Sequence, residues 1–180
     1  MKTKWFCPVM GLVLMALVTQ AARLVPLSIQ QLTDRARLVL HANVVKKTVQ
    51  RDAAGRIYSR IDLRIIDTWK GHTTTSSFVA VQSGGVLGEE ITTVDGQEEL
   101  TPGEEVVLFL VLNKRDEGVV IGLSQGKFNV TQNAKGEKFA HNAFHGSTPA
   151  QARGTDSSGK DQSSALTLLQ LKALVQGGRP

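Results

Sequence analysis

The sequence predicts a small, mainly β protein: a five- to six-stranded antiparallel barrel with a short helix before it and another after it. Three observations carry that prediction. Over residues 57–71, Ile57, Ile61, Leu63 and Ile65 fall on one side of an extended backbone, and Arg60, Asp62 and Arg64 fall on the other. That is the period-two signature of a strand with one face in a core and one in water. Residues 106–112 are apolar without a break, as in a central strand buried on both faces. Helical spacing is confined to two short stretches near the ends, and no βα alternation is present to build a parallel sheet.

The first stretch is set aside from the fold. Lys2 and Lys4 give a positive start, an apolar run follows over 9–18, and Thr19 and Ala21 place small residues where a signal peptidase reads. Residues 1–21 are therefore expected to be a secretory signal peptide cleaved after Ala21, too short for a comfortable membrane span. The mature chain is expected to be secreted or periplasmic, with no stable membrane span. Cleavage removes Cys7, the only cysteine of the 180 residues, so an exported chain without disulfides must rely on its core. Bacterial export suits that better than animal secretion. The formal charge falls from +5 to +3 with the two lysines gone. Signs stay interspersed, as on an ordinary soluble surface rather than a nucleic-acid footprint.

The barrel domain is expected over 22–144. Ser28 is placed to cap a helix, with Gln31 completing a capping box, Leu27 stapling against Leu32, and Ile29, Leu32 and Ala36 sharing a face. A first strand runs over 38–49; its early residues are apolar on both faces, which points to burial on both sides or to a bulge. A hairpin loop at 51–55 leads to the long strand. A third strand covers 78–82, the segment 83–88 interrupts it, and 91–94 forms a short edge strand closed at Asp95-Gly96. A turn at 101–104 feeds the apolar strand, 113–118 turns again, and 119–131 is extended with Gly122 and Gly126 at bends. A hairpin at 133–136 precedes a returning strand at 137–140. Residues 145–162 are rich in Gly, Ser, Thr, Asp and Lys and read as a flexible linker. The C-terminal amphipathic helix is assigned to 163–177, capped by Ser164, with Leu168, Leu171 and Val175 on one face.

No constellation in the chain carries chemistry by itself. Gly122, Ser124 and Gly126 match the G-x-S-x-G pattern of a hydrolase elbow, but a strand pattern follows where that elbow needs a helix. His141 and His145 have the i, i+4 spacing of metal ligands without the glutamate of H-E-x-x-H, and are expected to be solvated. Ser83, Gly84, Gly85 and Gly88 form a glycine-rich loop lacking the Lys-Ser/Thr of a phosphate loop. Its glycines permit positive φ, and such a loop suits contact with a partner. Trp69, at the end of the long strand, is either a recognition aromatic or a cap on the core. The acidic pairs Glu89, Glu90 and Glu98, Glu99 read as solvated surface. No metal or cofactor is expected.

The order of these strands resembles the netrin-like domain, the OB-type barrel of tissue inhibitors of metalloproteinases. It is also similar to a group of uncharacterised exported bacterial proteins. The likeness rests on the first-strand segment 36–45, the strand ending Trp69-Lys70-Gly71, and Gly103 and Glu104 leading to Phe109 and Leu110. It covers roughly 36–130 and implies an OB-type fold. The inhibitors chelate a protease zinc through an amino-terminal cysteine; the expected mature start, Ala22-Arg23, has no thiol, so no inhibitory residue carries over. The expected function is a non-enzymatic module that binds an exported protein partner, a protease among the candidates, using Ser83, Gly84, Gly85, Gly88 and Trp69. The alternatives are a small hydrolase or metal enzyme using Ser124 or His141 and His145, and a glycan-binding OB barrel. Few aromatics argue against nucleic acid.

Overall fold

The computed structural model describes residues 25–146 and 165–177. The expected leader and its cleavage point, and the expected linker beyond residue 146, lie outside the described residues. In chain order the elements are α1 (Ile29–Arg35), β1 (Leu38–Arg51), β2 (Ile57–Lys70), β3 (Ser77–Ser83), β4 (Gly85–Leu87), β5 (Glu90–Thr92), β6 (Glu105–Leu112), β7 (Gly118–Val120), β8 (Lys127–Gln132), β9 (Lys138–His141) and α2 (Leu168–Val175). Five strands close a barrel in the order β1-β2-β3-β7-β6, with β6 returning to β1 over the pairs from Leu38↔Leu110 to Asn43↔Glu105. β8 and β9 extend the sheet beyond β6, and β4 with β5 forms a separate two-stranded ribbon. The mainly β, OB-type barrel with a helix near each end is the fold.

One pairing departs from the all-antiparallel expectation, for a reason of arithmetic. Strands that alternate in direction close without conflict only in even number. With five, one neighbouring pair must run the same way, and here it is β3 and β7, which meet at Ala80↔Gly118 alone. Gly118 permits that contact: a Cβ there would lie 2.8 Å from Phe78 Cε1 and 2.9 Å from Leu110 Cδ1.

The sheet has two cores, one on each side of its wall. Inside lie Leu38, Leu40, Ala42, Val44, Ile61, Leu63, Ala80, Val106, Leu108 and Leu110, with Leu100 closing the interior. Outside, Val39, Trp69, Val107, Phe109, Phe128 and Ala140 pack beneath α1 and α2. Alternate residues of β1 and β6 thus enter opposite cores, which is why both strands read as apolar on both faces. The register of β1 against β2 also slips at three points, so double burial and bulging occur together.

Both helices are set by capping boxes. Ser28 Oγ accepts from Gln31 N–H at 3.1 Å and Gln31 Oε1 accepts from Ser28 N–H at 2.9 Å, and Leu27 and Leu32 share the outer core. α2 begins later than the hydrophobic spacing suggests, with Thr167 and Gln170 as its box. Before it, the Leu166 carbonyl accepts from Ala140 N–H at 2.9 Å and Thr167 bridges Phe139. Those residues stay extended because the edge of β9 uses their backbone. Leu171 and Val175 are buried, and Lys172 Nζ donates to Asp67 Oδ2 at 2.6 Å.

Two other expectations change. Residues 119–131 are not one extended run: β7 ends at Val120, six residues turn, and β8 starts at Lys127. His145, placed at the start of the linker, instead packs its ring 5.7 Å from that of Phe128. The turn holding it is fixed by Asn142 Oδ1, which accepts from the N–H groups of Phe144 and His145.

Candidate binding groove

The barrel is open where its parallel pair diverges. Beyond Ala80 and Gly118 the strands separate, and a groove of about 980 Å³ runs between Val81, Gln82, Ser83 and Gly84 on one side and Val119 and Val120 on the other. The β1–β2 hairpin, the segment after β5 and the β6–β7 turn complete its walls. Hydrogen-bond alternation fixes where the backbone of these strands points. Gly84 N–H donates to the Ile57 carbonyl, so Val81 and Ser83 direct their backbone groups away from β2. The Val81 N–H meets Gly118 in the one β3–β7 pairing, and the Val81 carbonyl and the Ser83 N–H and carbonyl face the groove. Ile121 N–H donates to the Phe109 carbonyl, so Val120 directs its backbone away from β6, toward the same space. The Ser83 carbonyl accepts from Gln97 Nε2 at 2.9 Å.

Charge in the groove is mostly positive. Arg51, Arg56, Lys114 and Arg115 line it against Asp52 and Glu90. Arg51 pairs with Glu90, Arg56 Nη2 lies 2.7 Å from Asp52, and Arg115 Nη2 lies 2.8 Å from Glu117. Lys114 has no carboxylate partner among the described residues. Hydrogen bonds from the Arg56 backbone and then its side chain hold Asp52 below the usual carboxylate range, so it stays ionised. The one aromatic lining residue, Tyr58, lies under the Arg115 guanidinium at 5.8 Å. Leu123, also lining the groove, sits at φ 62°, a strained conformation for a side chain of its size.

The residues singled out in the sequence do not converge. Ser83 and Gly84 line the groove, while Gly88 turns the β4–β5 ribbon in open space. Gly84 and Gly85 answer to packing: a Cβ on Gly84 would lie 2.3 Å from the Thr92 carbonyl oxygen, and one on Gly85 2.7 Å from Val49 Cγ1. Trp69 belongs to the outer core, 6% exposed, its ring 5.8 Å from His41 and its Nε1 donating to Asp67 at 3.0 Å. It takes the role of a core cap.

Ser124 sits in the turn between β7 and β8, with no helix after it and no hydrogen bond to a histidine. His141 and His145 are not solvated as expected: His141 Nε2 and His145 Nδ1 are buried without partners among the described residues. Burial pushes both below the ordinary histidine value, with Glu98 partly opposing this at His141. Among the described residues no group of three His, Cys, Asp or Glu is placed to hold a metal.

Sequence reasoning passed over the polar groups that hold the barrel's end. Lys127, 1% exposed, donates to the Glu99 carbonyl at 2.6 Å and lies 3.1 Å from Glu98 and 3.0 Å from Glu104. Gln82 accepts from Leu100 N–H at 3.0 Å and donates to the Glu98 carbonyl at 2.9 Å. The acidic pair Glu98 and Glu99 therefore clamps the chain over the barrel rather than facing water freely. A second network joins Lys138, Glu105 and His41: Lys138 Nζ lies 2.7 Å and 2.8 Å from the two Glu105 oxygens, and His41 Nε2 lies 2.7 Å from Oε1. Burial alone would raise Glu105, but the hydrogen bonds from Lys138 and His41 outweigh it and leave its pKa lowered. The groove's cations had a weak signal, since Arg51, Arg56, Lys114 and Arg115 fall in two turn segments. No protein-family model matches the chain, and no curated protein sequence is similar to it.

Proposed function

We propose that the protein is an exported, non-enzymatic binding module that engages another exported protein through the groove between β3 and β7. The netrin-like resemblance supports that class and names a protease as one such partner, by a contact other than thiol chelation. The observation that carries the reading is the divergence of β3 and β7 after one paired position, which leaves strand edges turned into a long, open space. Backbone edges of that kind recognise protein segments. A nucleophile beside a general base is absent among the described residues, because Ser124 and the histidines do not meet. Glycan binding is less well supported, since Tyr58, the single aromatic of the groove, is covered by Arg115.

The test is site-specific photocrosslinking in the exporting host. A photoreactive side chain at Ser83 or Lys114 is expected to capture the same partner protein, and one at Leu169 on the exposed face of α2 is not. Capture at Leu169 without capture at either groove position would overturn the assignment.

A further inference from the structure

Resting on that reading, we infer that the partner enters the groove as an extended acidic segment that adds a strand to the open edge of β3. The backbone geometry sets the mode of binding. The Val81 carbonyl and the Ser83 N–H turn toward the space that Val120 faces from the other side, and the Ser83 carbonyl is held there, among the described residues, by the Gln97 side chain alone. A parallel barrel pair would ordinarily satisfy these groups; here they diverge after one position. A chain laid between them has a strand edge on each flank, and unpaired strand edges of this kind template added strands. Gln97 already shows the bond such a chain would make, because its side-chain amide donates to the Ser83 carbonyl as an incoming backbone N–H would.

Charge sets the composition. Four cations against two carboxylates line the groove, and Lys114 has no carboxylate partner among the described residues. An incoming strand alternates its side chains. The row on the outer face meets Arg115 beside Tyr58 and is therefore acidic; the row on the inner face meets Val120, which packs against the barrel interior, and is therefore apolar.

The probe is a short fluorescein-labelled peptide alternating glutamate with valine, titrated by anisotropy against the protein with residues 1–21 removed. Two analogues accompany it, one with lysine for glutamate and one N-methylated at every valine. The acidic peptide is expected to saturate, and both analogues to bind at least about tenfold more weakly. Lys114→Glu, at an exposed side chain, is expected to weaken the acidic peptide by about tenfold while the melting temperature stays unchanged. Equal binding of the N-methylated peptide would overturn strand addition, and equal binding of the lysine peptide would overturn the acidic preference. No peptide binding together with continued crosslinking at Ser83 would overturn this inference while leaving the groove as the docking site. Loss of crosslinking at Ser83 as well would remove both.

Discussion

Replacing Lys127 with methionine is the sharpest test of how the barrel's end is held. Lys127 pairs opposite Leu108, whose side chain faces the barrel interior, so its stem enters the same space. Its ammonium meets the Glu99 carbonyl, Glu98 and Glu104. Methionine keeps most of the apolar volume and removes all three contacts. A hydrogen bond to a charged group contributes about 1.5–3 kcal/mol, so the undiscounted loss would be about 4–9 kcal/mol. Glu98 and Glu104 are 34% and 33% exposed at the side chain, and they recover much of their solvation from water. The cost is then about 2–4 kcal/mol, or a melting temperature lower by roughly 4–16 °C for a domain of this size. Urea and thermal denaturation of the single variant, and of a cycle with Glu98→Gln and Glu104→Gln, would measure it. In the cycle the penalty should shrink by about 1–3 kcal/mol, since the carboxylates left behind are part of the cost. A single variant within about 0.5 kcal/mol of the parent, or a cycle additive to that margin, would show that the clamp adds nothing to stability.

Other expectations follow from the same contacts. Gly84→Ala, at φ 84° with the Thr92 carbonyl oxygen 2.3 Å from the new Cβ, should cost well over the roughly 1 kcal/mol expected of Gly88→Ala, where φ is 63° but the space is open; paired denaturation curves decide it. His141 and His145 have folded pKa values lowered by burial, so the unfolded chain binds more protons below its own value near 6.5. Their contribution is fully present above that pH and is lost as pH falls through the lowered folded values. Stability measured from pH 7 downward should fall less steeply in a His141→Gln, His145→Gln variant. Removing all residues after Gly159 uncovers the outer core that Leu171 and Val175 fill and deletes the Lys172–Asp67 contact. The melting temperature should drop on the order of 10 °C, as should that of Leu171→Ala, whose truncation costs about 2–4 kcal/mol; an unchanged melt would mean that α2 adds nothing to the barrel.

The strands were legible where one chemical pattern decides them. β2 alternates because one face meets the barrel interior and the other water, and β6 is apolar throughout because it separates two cores. The cap of α1 was legible for the same reason, being a local bargain between Ser28 and Gln31. The start of α2 was misjudged because hydrophobic spacing does not register that β9 needs the backbone of Leu166; the Thr167–Gln170 box was the better signal. Lys127 was illegible, since a lysine on an alternating strand reads as solvent-facing unless the loop that meets it is known. The groove was hidden for a related reason. Its walls come from five separated segments, and only the strand order brings them together.

The position of the groove follows from how the rest of the sheet is covered. The first half of β1, residues 38–44, and β6 as far as Leu110 have both faces buried, one by the barrel interior and one beneath the helices, and β8 with β9 extends that covered wall. A ligand cannot reach backbone there without displacing a helix. On the opposite side the odd number of strands imposes a like-directed pair, the weaker kind of ladder, and it is held at the one place where Gly118 lets the strands approach. Past that point neither strand gains enough from the other to stay together, so their edges turn into open space beside two cationic turns. Strand parity, not a motif, places the exposed edge, and a substitution that filled Gly118 would therefore disturb the groove and the closure of the barrel together.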